Sequence, residues 1–205
     1  MGVDTIFIIV IIIFSVIVHE VMHGVVADML GDPTARYAGR LTINPIPHLD
    51  LVGSIIVPIV SSFAGFFFGW AKPVPVNPYN FRILRSVGEG LVAFAGPLSN
   101  LVIALIFGAF IRIGILPDMD SIFALIVIVN CSLFMLNMIP IPPLDGSKVL
   151  TALLPGSLQD SYLRFRSVVD QNIMIGFILV VIFVNIFSRP YASLVFSLAH
   201  LIAGI

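Results

Sequence analysis

The sequence predicts an all-α integral membrane protein, a polytopic helical bundle of about five to six membrane segments. Three observations carry that expectation. Of 205 residues, 59% are hydrophobic and only 10% are charged, whereas a soluble domain carries about 25% charged residues. The mean hydropathy is +1.13, too apolar for a surface that faces water. Apolar runs of membrane length alternate with short connectors rich in proline, glycine and charge. The size suits one transmembrane domain over residues 1–205. A net charge of −1 and basic residues no more than scattered in pairs give no sign of nucleic acid, and none is expected as a partner.

The first span runs from about Asp4 to Leu30, and Gly31-Asp32-Pro33-Thr34 ends it with residues that do not continue a helix. No Lys or Arg precedes its apolar run, so it reads as a retained helix and not a secretory signal. Residues 34–52 form a polar connector in which Arg40 to Ile43 has the composition of a short strand. Residues 53–70 are apolar but broken by Pro58, Ser61, Ser62, Gly65 and Gly69. Lys72-Pro73-Val74-Pro75-Val76-Asn77-Pro78 is too proline-rich for a helix and is expected to be extended. A short amphipathic piece with Arg82 and Arg85 leads into a span from about Glu89 to Ile115, expected to be irregular or kinked near Gly96-Pro97. The next span, about Ser121 to Ile139, stops at Pro140-Ile141-Pro142-Pro143-Leu144-Asp145-Gly146. Residues 147–170 are the most polar part of the chain. A further span covers about Asn172 to Phe187. Residues 190–205 make a last apolar segment, short of the ~20 residues that a straight crossing needs. The single cysteine, Cys131, has no internal partner and reads as a small apolar packing residue.

One stretch breaks the apolar pattern with chemistry. In His19-Glu20-Val21-Met22-His23 two histidines four residues apart fall on one helix face, one turn from each other, where both imidazoles can bind one metal ion. Glu20 lies beside them, where a general base belongs. The chain has four histidines, and a polar trio inside a membrane-length apolar run is a functional site by default.

A catalytic zinc takes three protein ligands and keeps a fourth position for water. Candidates for the third are His48, Asp50, Glu89, Asp145 and His200. His48 sits in a connector and is expected to face water, and Glu89 precedes a helix whose dipole an acid favours. Asp145 follows three prolines within four residues and precedes Gly146, so its backbone is held non-helical at the end of a span. Such backbone is tolerated at membrane depth only against protein or a water-filled cavity. Two readings of Asp145 stay open on this ground, a metal ligand and the N-cap of a helix starting at Gly146.

Depth and charge bear on the topology. His19 lies about 15 residues, or ~22 Å, into the first helix, towards the far face of a core ~30 Å thick. For Asp145 to reach that face, residues 53–70 must begin and end on one side, as a re-entrant segment. The connectors on that side then hold every cation except Arg112 and Arg189, two of ten. The positive-inside rule makes the face cytoplasmic.

These residues resemble the site-2 protease family of intramembrane zinc metalloproteases. The resemblance rests on His19-Glu20-Val21-Met22-His23 late in a transmembrane helix and on Asn137-Met138-Ile139-Pro140-Ile141-Pro142-Pro143-Leu144-Asp145-Gly146. Ala95-Gly96-Pro97-Leu98-Ser99-Asn100 resembles the family's middle core helix. Gly39-Arg40-Leu41-Thr42-Ile43-Asn44-Pro45 and Lys72-Pro73-Val74-Pro75-Val76-Asn77 resemble its compact prokaryotic subgroup, which lacks PDZ and CBS domains. The resemblance implies a catalytic core of three helices around one Zn2+ ion. His19, His23 and Asp145 would be the ligands and Glu20 the catalytic base, with Asn137 and Asn100 at the substrate backbone or the oxyanion.

The expected reaction is hydrolysis of peptide bonds within or near transmembrane segments, in regulated intramembrane proteolysis. The expected partners are a membrane-protein substrate with a transmembrane segment and the lipid bilayer, with self-association into a homo-oligomer left open. The protein would be a multi-pass protein of the cell membrane with its active site towards the cytoplasm. The extended stretch near Asn77 and residues 53–70 would offer edges to an unwound substrate strand. Two rival readings are a membrane metal transporter and a non-catalytic metal-binding scaffold. Neither gives a reason for a glutamate beside the metal.

Overall fold

The computed structural model describes residues 3–50, 53 and 71–205. These residues contain helices and turns but no strand, as the fold class requires. The predicted re-entrant segment at 53–70 lies, but for residue 53, outside the described residues. The chain divides into two compact units, Met1–Arg82 and Ile83–Ile205.

In the first unit, helix α1 (Val3–Met29) has 27 residues and is about 40 Å long at ~1.5 Å per residue. Ile6, Phe7, Val10, Ile12, Ile13 and Phe14 are exposed along it, a surface that a bilayer tolerates and water does not. The chain then turns through Asp32 into the short helix α2 (Thr34–Tyr37). A 3-10 turn follows at Ile46–His48 and another at Pro78–Asn80. The expected strand at Arg40–Ile43 does not form. Arg40 instead turns its side chain inward and is 6% exposed. Residues 71–77 are free of helix, as their prolines demand.

The second unit is built on α3 (Arg85–Ile113), α4 (Asp120–Asn137), α5 (Asp145–Leu153), α6 (Gly156–Gln171), α7 (Ile173–Ile186) and α8 (Ser188–Ala203). Helix α3 packs against α4, α5 and α8, and α4 packs against α8. Small residues make this possible: Ala104, Cys131, Ala199 and Ala203 join Val127, Val195 and Ile202 in one buried cluster, where backbones approach closely. Cys131 is fully buried there, the packing role its apolar span implied. Across α4 and α8, Ser132 Oγ and Tyr191 Oη lie 2.7 Å apart, and Tyr191 Oη donates to Ser132 O at 2.8 Å. The expected irregularity near Gly96-Pro97 does not interrupt the helix. Helix α3 starts earlier, at Arg85, and runs unbroken with Pro97 inside it.

Among the described residues three helical stretches are long and apolar enough to cross a membrane: Ile6–Met29, Arg85–Ile113 and Pro117–Asn137. A fourth results if α6 and α7, bent by 107° at their junction, are one broken span. Helices α7 and α8 have 14 and 16 residues, too few for a straight crossing of ~30 Å. The length and composition of these helices are those of a membrane protein.

Candidate metal centre

Helix period decides the geometry of the first half-site. His19 and His23 stand one turn apart on α1, their ring centroids 4.7 Å apart and their planes at 89°. His19 is buried. Glu20 follows His19 and lies three residues, just under one turn, before His23. Its Oε2 accepts a hydrogen bond of 3.0 Å from the Val74 N–H. A contact across 54 residues is invisible to any local reading of sequence.

What brings Val74 there is a polar framework. Gly24, one turn beyond Glu20, leaves room for it: a methyl at that position would lie 2.6 Å from Leu41 Cδ2 and 2.9 Å from Val74 Cγ1. Arg40 donates from Nη2 to the Lys72 carbonyl at 2.6 Å and faces the Pro73 carbonyl at 3.4 Å. The Lys72 N–H donates to the His48 carbonyl at 2.9 Å. Asp32, fully buried, accepts from the Asn77 N–H at 2.6 Å, Asn80 Nδ2 at 2.7 Å, the Thr34 N–H at 3.2 Å and the Thr34 hydroxyl. Burial opposes the charged form of Asp32, yet the bonds from Thr34, Asn77 and Asn80 outweigh it and hold the carboxyl below its ordinary value of 3.8.

The second unit presents Asp145 as the first residue of α5, buried at 8% exposure. The N-cap is Leu144, so the alternative of Asp145 as N-cap is not realised. Its position depends on Gly146. A methyl there would run into the carbonyl of Met138, because the proline loop folds back over the end of α4. The loop is tied by Ile141 N–H to Ile139 O at 2.8 Å and Leu144 N–H to Ile141 O at 2.9 Å. Tyr162 Oη adds a bond of 2.9 Å to the Pro140 carbonyl.

The remaining predicted residues fall as follows. Asn137 closes α4 and donates from Nδ2 to the Leu133 carbonyl at 3.0 Å. Asn100 is fully buried and donates to Asn130 Oδ1 at 2.9 Å, while Asn130 donates to the Ile126 carbonyl at 2.9 Å. This amide pair clamps α3 to α4. Asn130 escaped the sequence reading, although a lone amide inside an apolar span was a signal for it. His48 does not face water: it is 2% exposed, with Nε2 at 2.8 Å from the Thr42 carbonyl. Glu89 is paired to Arg85 at 2.9 Å and Arg166 at 3.2 Å. Together with Thr151 and Asp170 they line a cavity of about 550 Å³. His200 Nδ1 lies 3.1 Å from the Ile205 carbonyl at the end of α8.

An apolar, membrane-type helical fold with a His-Glu-x-x-His helix is the combination found in membrane metallopeptidases, and imidazole with carboxylate is a donor set that suits zinc. Comparison with known proteins agrees. The model of peptidase family M50 matches residues 113–183. A Bacillus subtilis protein named putative zinc metalloprotease YwhC is 35% identical over 199 residues, covering 92% of this chain and 83% of the relative. Putative zinc metalloprotease MJ0611 of Methanocaldococcus jannaschii is 33% identical over 141 residues, 65% of this chain and 63% of the relative. Putative zinc metalloprotease Rip2 of Mycolicibacterium smegmatis is 26% identical over 138 residues, 65% of this chain and 52% of the relative. No solved structure matches the chain. The chain belongs to peptidase family M50, the site-2 protease family.

Proposed function

We propose that this protein is an intramembrane zinc endopeptidase that hydrolyses peptide bonds within or near transmembrane segments of other membrane proteins, in regulated intramembrane proteolysis. It is a multi-pass protein whose site opens towards the cytoplasm, as the bias of its cations suggests. His19, His23 and Asp145 would hold one zinc ion, the ligand set that the family's motifs imply. A zinc ion so held supplies Lewis acidity and a water of pKa about 7. Glu20 would serve as the general base that accepts the nucleophile's proton and then as the acid that gives it to the leaving amine. Asn137 and Asn100 meet the substrate backbone or the developing oxyanion. Asn137 has a second amide hydrogen beyond the one given to the Leu133 carbonyl. The names of the relatives, each a putative zinc metalloprotease, support the same reading.

The observation that carries it is the state of Glu20. Its carboxylate is held by a backbone N–H, Val74, next to two histidines on one helix face. A transporter or a scaffold needs the histidines but has no use for an oriented carboxylate that is not a ligand. Glu20→Gln in purified, reconstituted protein is expected to keep one zinc per chain by elemental analysis and to lose cleavage of a single-span substrate by about 10²- to 10⁴-fold. Undiminished cleavage in the variant would remove Glu20 as the general base, and no cleavage by the wild type would remove the peptidase reading. Metal flux surviving in the variant would favour the transporter.

The strand-edge idea narrows. The N–H groups of Lys72, Val74 and Asn77 and the carbonyls of Lys72 and Pro73 have partners inside this unit, and Pro73 and Pro75 have no N–H. Val76 is the position whose N–H is best placed to meet a substrate strand, so Val76→Pro tests pairing.

A further inference from the structure

The reading of Glu20 as general base leaves open what fixes the base. One peptide group joins the pieces. The N–H of the Pro73–Val74 peptide donates to Glu20 Oε2 at 3.0 Å. The carbonyl of the same peptide faces Arg40 Nη2 at 3.4 Å, and the preceding carbonyl, Lys72, accepts from that nitrogen at 2.6 Å. A buried guanidinium and the carboxylate thus hold opposite ends of one peptide. A cation at the carbonyl end polarises the group and strengthens its N–H as a donor.

Arg40 is costly where it stands. It is 6% exposed, its Nε is buried without a hydrogen-bond partner, and among the described residues no carboxylate pairs with it. A buried cation without a counter-ion is expensive, and packing alone does not call for one. The segment it grips has two prolines in four residues and no strand partner among the described residues, so a sheet ladder is not what holds it. Asp32 anchors its far end at the Asn77 N–H. Among the described residues, Arg40 is the side chain that bonds the Lys72 and Pro73 carbonyls just before Val74.

We propose that Arg40 is a positioning residue for the general base: it holds the Pro73–Val74 peptide so that the Val74 N–H orients the Glu20 carboxylate for proton transfer. This rests on the peptidase reading above.

Arg40→Met removes the charge at similar volume, and Arg40→Lys keeps it. In the full chain, Arg40→Met is expected to lower kcat by about 10- to 100-fold, the scale of a small misplacement of a catalytic group. KM should stay within about twofold and zinc at one per chain, the pattern of an interaction used in the transition state. Arg40→Lys should recover about threefold or more of that loss. A readout independent of turnover is amide exchange in zinc-free protein. The Val74 amide should exchange about tenfold faster in Arg40→Met, with α1 amides unchanged. Should Arg40→Met fail to fold, Val74→Pro deletes the donor with Arg40 intact and is expected to cost the same in kcat. If both fold, the double variant should cost no more than the worse single one. Three results would overturn the proposal: unchanged kcat, a loss confined to KM, or a lysine variant no better than methionine. Normal turnover in Arg40→Met beside an inactive Glu20→Gln sinks only this inference. Activity in Glu20→Gln sinks the reading beneath it.

Discussion

In Met1–Arg82, a buried aspartate, a buried arginine and a buried histidine hold connecting residues 38–50 and 71–82, whose regular structure is two 3-10 turns. In Ile83–Ile205, alanines, glycines and a cysteine let long helices lie against each other, with the Asn100–Asn130 pair, the Ser132–Tyr191 contact and the bonds from Arg112 to the Leu201 and Ile202 carbonyls among the polar links between α3, α4 and α8. The difference follows from what each backbone leaves unsatisfied. A helix bonds its own amides, so its neighbours need only shape. An irregular strand with prolines offers loose amides and carbonyls, and charged side chains must reach for them. The Glu20 carboxylate is oriented within the first unit, and Asp145 is presented by the second.

Three substitutions break or sharpen that contrast, in decreasing order of effect. Gly146→Ala drives a methyl into the Met138 carbonyl, a backbone clash that no side-chain rotation relieves. A loss of about 3 kcal/mol or more is expected, read as a lowered thermal midpoint in detergent and loss of bound zinc. A stable, zinc-loaded variant would mean the proline loop is less tightly set than its bonds indicate.

Asp32→Asn should cost about 2 kcal/mol at neutral pH, because the amide cannot accept from all the donors the carboxylate serves. The pH dependence is the sharper test. A carboxyl held below 3.8 in the folded state contributes stability that is complete above about pH 4 and is lost as pH falls through the folded value. The difference in thermal midpoint between wild type and Asp32→Asn should therefore shrink below pH 3.8. A constant gap across that range would assign the cost to shape and not to charge.

Gly108→Ala, on the face of α3 against Ile202 of α8, is expected to cost about 1–2 kcal/mol. Adding Ile202→Ala should return part of it, since the two sites share one contact. Strictly additive losses would show that the α3–α8 contact is not set by size at this position.

Much of the fold is legible locally. The apolar runs give the helices, and proline and glycine clusters give their ends. The extended stretch before Asn77 follows from Pro73, Pro75 and Pro78. The places where local reading fails share a cause. Arg40–Ile43 has strand composition, but Arg40 is drawn to carbonyls at Lys72 and Pro73, more than thirty residues away. His48 looks like a solvent-facing histidine in a loop, yet it is buried against Thr42. Gly96-Pro97 looks like a break, yet α3 continues because Pro97 costs one intrahelical bond inside a helix that neighbours support on several sides.

The pairing of His19 with His23 was determined by the sequence alone, because four residues is close to one helical turn and no distant group is needed to bring the rings together. The membrane character was determined the same way, by composition. The direction of the Glu20 carboxylate was decided only by tertiary structure. Glu20 lies one residue from His19 and three from His23 on the same helix, but its partner is an amide 54 positions later, in a segment bonded to an arginine whose own partners lie 32 and 33 positions away. Local periodicity sets which face a side chain leaves from; only the folded chain sets what it meets there.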